Sequence, residues 1–125
     1  MILDYFIAGF KARFPDYQLS VREPDAVAIV HGNNSVVGNI EVQDDLDELI
    51  VFVGDFTHGH FDCWDESLSK DEQYKEVAAD VLEFLEDVFA DKVEFYRSAH
   101  GGGGWRPAGT GPEQSYTWSG AAEVP

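Results

Sequence analysis

The sequence predicts an α+β domain: an antiparallel sheet of five or six strands packed against two helices, in the order α-β-β-β-β-α-β-β. Three observations carry this. Apolar residues recur at helical spacing near the start and again over residues 69–90, where a capping signature precedes them. Short alternating or continuous apolar runs fill the rest, and clusters of Gly, Asn, Asp and Pro separate them as strands are separated by turns. With 125 residues, 44% apolar and 14% aromatic, the chain has material for one core and one domain.

The first helix rests on Leu3, Phe6, Ile7, Phe10 and Phe14, and Pro15 stops it, which gives residues 2–14. Tyr17, Leu19 and Val21 alternate as a first strand. After the turn signal Glu23-Pro24-Asp25, Ala26 to Val30 is a continuous apolar second strand. His31, Gly32, Asn33, Asn34 and Ser35 form a turn, because Gly and Asn tolerate positive φ, and Val36 to Val42 follows as the third strand. The acidic cluster Asp44, Asp45, Asp47 and Glu48 closes it. Leu49 to Val53 is apolar enough to be a central strand and is expected to run unbroken into the segment around His58.

Ser69 and Glu72 match the capping box, in which each side chain satisfies a backbone N–H at a helix start. Tyr74, Val77, Val81, Phe84, Leu85 and Val88 then form a core-facing stripe to about Ala90. Strands are expected at Val93 to Tyr96 and Tyr116 to Trp118. Between them, residues 98–112 carry Gly101 to Gly104, Gly109 and Gly111, a density that predicts a mobile loop. No helix follows these glycines and no Gly-Lys-Ser/Thr is present, which excludes a phosphate loop. The domain thus spans 1–120, and residues 121–125 read as a frayed tail.

Composition narrows function. Eight Lys and Arg against 24 Asp and Glu give a net charge of −16, which repels nucleic acid and anionic membranes and attracts basic partners. The single cysteine excludes an internal disulfide. The start Met1-Ile2-Leu3-Asp4 has no secretory pattern, and no apolar run approaches the roughly 18 residues of a membrane span, so the expected location is the cytoplasm. A homodimer is left open.

The chemistry-bearing segment is Thr57 to Asp65, with two of the four histidines, the only cysteine, two carboxylates and Trp64. On a strand, His58, His60 and Asp62 share one face, while Phe61 and Cys63 point the other way. Imidazole and carboxylate are zinc ligands, so His58, His60 and Asp62 form a candidate metal site. The segment resembles the opening of the metallo-β-lactamase motif, Thr-His-x-His-x-Asp-His, with Cys63 where the last histidine belongs. That family has about twice this length and further ligands, whereas here only His100 follows. The competing reading is a polar row that hydrogen-bonds across strands and titrates near neutrality. The acidic surroundings disfavour a Cys63 thiolate nucleophile.

The element order also resembles the restriction-endonuclease core, with Glu41-Val42-Gln43 in place of its Asp/Glu-x-Lys element. The lysine is missing, and the overall charge opposes a nucleic-acid substrate. Residues 65–91 hold ten acidic residues against Lys70 and Lys75, about half of the net charge. Glu76, Asp80, Glu83 and Asp87 form the outer face of the second helix, and a field of this kind speeds capture of a basic protein. Trp105 and Arg106, taken as exposed in the glycine loop, are residue types that anchor interfaces.

The small acidic chain, its His-x-His-Phe-Asp segment (His58, His60, Phe61, Asp62), its acidic second helix and the Gly-Gly-Trp loop at Trp105 together resemble bacterial immunity proteins of polymorphic toxin systems. Type III secretion chaperones are similar in size, acidity and element order, without the histidine row. The immunity resemblance implies a non-enzymatic protein-binding domain whose partner is a basic toxin domain, with no cofactor. From charge, strand face and residue type, and not from the resemblance, the expected partner-binding residues are His58, His60, Asp62, Trp64, Glu76, Asp80, Glu83, Asp87, Trp105 and Arg106. The alternative is a small zinc-dependent hydrolase using His58, His60 and Asp62.

Overall fold

The computed structural model describes residues 2–32, 36–97, 103–111 and 115–120. Helix α1 (Ile2–Arg13) leads into strands β1 (Leu19–Arg22), β2 (Val27–Val30), β3 (Ile40–Asp45), β4 (Glu48–Val53) and β5 (Thr57–Phe61). Helix α2 (Lys70–Phe89) follows, then β6 (Val93–Arg97), β7 (Gly103–Pro107) and β8 (Ser115–Tyr116). The α+β class and both helices are as the sequence predicts. The strands form two antiparallel sheets instead of one: β1-β2-β3-β4-β5 and the smaller β7-β6-β8.

Alternation organises the large sheet, because residues directly opposite one another share a face. One inward row runs Val30, Ile40, Val53, Thr57, and the next runs Ala28, Val42, Val51, Gly59, buried except for the half-buried Thr57 and Gly59 at the edge strand. Both helices pack on this inner face. α1 contributes Ile2, Leu3, Phe6 and Phe10, and α2 contributes Val77, Ala78, Val81, Leu82, Leu85 and Val88. The capping box is formed: Glu72 N–H donates to Ser69 Oγ at 3.2 Å, and Ser69 N–H donates to Glu72 Oε1 at 3.0 Å. Asp44 also lies on the inner face and accepts from the backbone N–H of Leu3 at the start of α1. Burial pushes its carboxyl pKa up.

Several boundaries differ from the sequence reading, and the last strand, expected at Tyr116 to Trp118, is Ser115–Tyr116, with residues 118–119 in a turn. The third strand starts at Ile40, because residues 36–39 are taken by a turn in which Gly38 has φ +76°. The acidic Asp44 and Asp45 therefore belong to the strand instead of closing it. The fourth strand does not continue into the histidine segment. Gly54 (φ +48°) turns the chain so closely under Val37 that a Cβ there would lie 2.1 Å from the Val37 carbonyl oxygen, and β4 and β5 become a hairpin. Residues 103–107 of the expected mobile loop are a strand, β7, paired to β6. Residues 33–35, 98–102 (with His100), 112–114 and 121–125 lie outside the described residues.

Three contacts fix the small sheet to β5 and to the turn that precedes it. The Trp105 ring lies on Gly59, where a Cβ would come within 2.5 Å of it, and reaches Phe84 of α2 at 4.5 Å between centroids. Gly103 sits against the Phe56 carbonyl, and Arg97 pairs with Asp55 while its guanidinium covers the Phe56 ring at 4.1 Å.

Inside the small sheet, the Glu94 carboxylate is 3% exposed. It accepts from Arg106 Nε at 3.1 Å and from the backbone N–H groups of Gly109 and Thr110 at 2.9 and 3.2 Å. Burial raises its pKa, but the hydrogen bonds from Ser115, Arg106 and Thr110 outweigh burial and hold it below the usual carboxylate range. Among the described residues, no helix is long and apolar enough to cross a membrane.

Because its folded pKa is depressed, Glu94 stabilises the fold above the ordinary carboxylate range, and this contribution is lost as the pH falls through the folded value. Glu94→Ala, which strands a half-buried Arg106, is expected to cost about 3 kcal/mol in urea denaturation at neutral pH. Glu94→Gln should flatten the acid side of the stability profile.

Candidate functional site

On β5 the inward residues Thr57, Gly59 and Phe61 alternate with exposed His58 and His60. The alternation continues past the strand, with Asp62 and Trp64 exposed and Cys63 half-buried. His58, His60, Asp62 and Trp64 thus form one outward row, as strand periodicity predicts. Cross-strand neighbours hold the two rings. His58 lies opposite Phe52 and stacks on it at 5.3 Å between centroids, and it meets His60 edge-on at 5.4 Å. His60 Nδ1 is 2.6 Å from Glu48 Oε1, a hydrogen bond that is also an ion pair when the ring is protonated. Among the described residues, no three His, Cys, Asp or Glu side chains are grouped to hold a metal ion.

At the far end of this row the surface becomes concave. The β3–β4 hairpin tip and the β5–α2 connection enclose a cleft of about 440 Å³. Asp45, Leu46, Asp47 and Glu48 form one wall, and Asp62, Cys63, Trp64 and Glu66 form the other. Lys70 and Gln73 of α2 close its end. The volume lies within the roughly 300–1,000 Å³ of ordinary binding pockets.

Two details of the walls stand out. Leu46 is the first residue of the two-residue turn between β3 and β4, with φ +60° and 86% exposure. Glycine is the ordinary occupant of such a position, and a branched L-residue there costs roughly 1 kcal/mol or more. Trp64 is 84% exposed, and no ring or cation among the described residues stacks on it.

Asp47 anchors the hairpin tip to α2, accepting from Lys70 Nζ at 2.9 Å and from Tyr74 Oη at 2.8 Å. The hydrogen bond from Lys70, then that from Tyr74, hold its carboxyl below the usual range. Asp45, Asp62 and Glu66 have no cation partner among the described residues.

Gln73 continues the cleft onto α2. Glu76, Asp80 and Asp87 follow it at i+3, i+7 and i+14, so they extend along one side of the helix, with Glu83 beside them. All four acidic residues are exposed and point away from the core, and no cation among the described residues meets them. Seven of the ten residues expected from the sequence are thereby linked: His60 through Glu48, Asp62 and Trp64 as cleft walls, and the four helix carboxylates as an acidic track leaving it. His58 lies one step further from the cleft on the outer sheet face.

Trp105 and Arg106 do not join this surface. The premise that they are exposed fails, because alternation in β7 turns Trp105 onto Gly59 and Phe84, while Arg106 is engaged by buried Glu94 and lies 4.3 Å from the Tyr96 ring centroid. Among the cleft residues that spacing in the sequence does not single out as a site are Leu46, Glu66, Lys70 and Gln73. A lone leucine among four carboxylates at a hairpin tip was the available signal for the first of these.

No protein-family model, curated protein or solved structure matches the chain. What the site can do therefore follows from its own residues. A concave acidic surface beside an exposed indole suits a cationic ligand.

The depressed Asp47 pKa means that its tie to Lys70 and Tyr74 is present above the ordinary carboxylate range and is lost as the pH falls through the folded value. A carbon-detected NMR titration should give Asp47 a midpoint below that of an ordinary aspartate. Lys70→Met should move the midpoint upward.

Proposed function

We propose that the chain is a non-enzymatic acidic binding domain that engages a basic protein partner through the cleft and the α2 track. The observation that supports this is the placement of unneutralised charge. Arg13, Arg22, Lys70, Lys75, Arg97 and Arg106 each pair with a carboxylate of the chain itself. Asp45, Asp62, Glu66, Glu76, Asp80, Glu83 and Asp87 lie along one connected surface and pair with none of them. Like charges held together repel one another, and a cationic partner relieves that repulsion while the field accelerates its approach.

The resemblance to immunity proteins makes a basic toxin domain the expected partner. Such a domain would be captured in the cytoplasm and blocked by steric cover, with no bond made or broken by this chain.

The experiment is capture of the partner from the native host followed by stopped-flow association with the purified pair. Association should slow steeply with added salt. The triple variant Glu76→Lys, Asp80→Lys, Glu83→Lys should reduce the rate constant by about tenfold or more at low ionic strength. A rate indifferent to salt and to the triple variant would remove the basis of the reading.

A further inference from the structure

From the cleft at the β3–β4 hairpin tip we infer that it receives an arginine side chain of the partner, with the guanidinium stacked on Trp64 and bonded to the carboxylates of Asp62 and Glu66. This rests on the basic-partner reading and gives it a specific contact.

The cleft pairs an apolar surface with negative charge. Trp64, 84% exposed, offers a free indole face, and Leu46, 86% exposed, stands on the opposite wall. They are the most exposed large apolar side chains among the described residues, and both flank one 440 Å³ cleft, where apolar surface gathered around a concavity marks a contact site. Each wall also carries unpaired carboxylates, Asp45 beside Leu46 and Asp62 and Glu66 beside Trp64. The cation already present, Lys70, is held by Asp47 at 2.9 Å and so does not neutralise them.

The occupant follows from this combination. A guanidinium is planar and weakly hydrated, stacks on an aromatic face and donates in a fork that fits carboxylates, whereas an ammonium is a compact, strongly hydrated point charge. A methylated ammonium is recognised by a cage of several aromatic faces, and this cleft has one. Leu46 packs against the aliphatic stem of the incoming side chain, which accounts for a leucine at a turn position that favours glycine.

The test uses acetylated, amidated tri-arginine and tri-lysine peptides, titrated at low salt into the full chain labelled for NMR. Tri-arginine is expected to bind several-fold more tightly than tri-lysine, shifting the Trp64 indole N–H and the amides of residues 45–48 and 62–66. Trp64→Ala should weaken tri-arginine binding by about tenfold. Leu46→Gly should weaken it as well while leaving the thermal midpoint equal or higher, a pairing that a purely structural leucine would not give. Equal affinity for the two peptides, no binding of either, or shifts confined to α2 with Trp64 unmoved would each overturn the arginine assignment. None of these results touches the salt and charge-reversal test of the basic-partner reading, so the two can fail separately.

Discussion

The contact on which the architecture depends is that of Trp105 with the bare backbone of Gly59. Two helices cover the inner face of the five-stranded sheet over β3 and β4, but β5 lies at its border. A side chain on Gly59 would occupy the space of the indole, and without the indole the inner side of β5 would keep only the contact of Phe61 with Phe84 of α2 near its end. Trp105 closes that side and brings β6, β7 and β8 with it. Once Thr57, Gly59 and Phe61 are committed inward, the period of two leaves His58 and His60 outside, and Asp62 and Trp64 beyond them. One alternation thus makes core on one side and a wall of the cleft on the other.

Electrostatics divides the molecule in a similar way. Most basic side chains are structural: Arg106 neutralises buried Glu94, Arg97 ties the small sheet to the β4–β5 turn, and Arg22 bridges Asp25 and Glu41 across the outer sheet face. With the cations used internally, the acidic surplus gathers where the chain does not need it for folding. Exposed charges separated by more than about 10 Å are screened at 0.1 M salt, so the surplus acts mainly on a partner that comes close.

Much of the fold was legible because it is written locally. The aromatic stripe of α1, the Ser69–Glu72 capping box and the outward His58, His60, Asp62, Trp64 row all follow from spacing alone. The β4–β5 turn was hidden because its cause is tertiary, the approach of Gly54 to the Val37 carbonyl. β7 was hidden because Gly103 and Gly104 have little strand propensity of their own, and Trp105 packing and Glu94 hydrogen bonds hold that strand in place. Glu94 itself reads as an ordinary exposed strand residue until the partners that satisfy it are seen. The cleft joins residues 45–48 to residues 62–73, so the acidic cluster and the tryptophan showed in the sequence while their juxtaposition did not.

The most direct test of the account is carboxylate footprinting of the chain, free and bound to the captured partner. Asp45, Asp62, Glu66, Glu76 and Asp80 are expected to become protected together on binding, while Asp25 in the β1–β2 turn and Glu41 on the outer sheet face keep their reactivity. Protection at Asp25 and Glu41 with none along the cleft and α2 would contradict it.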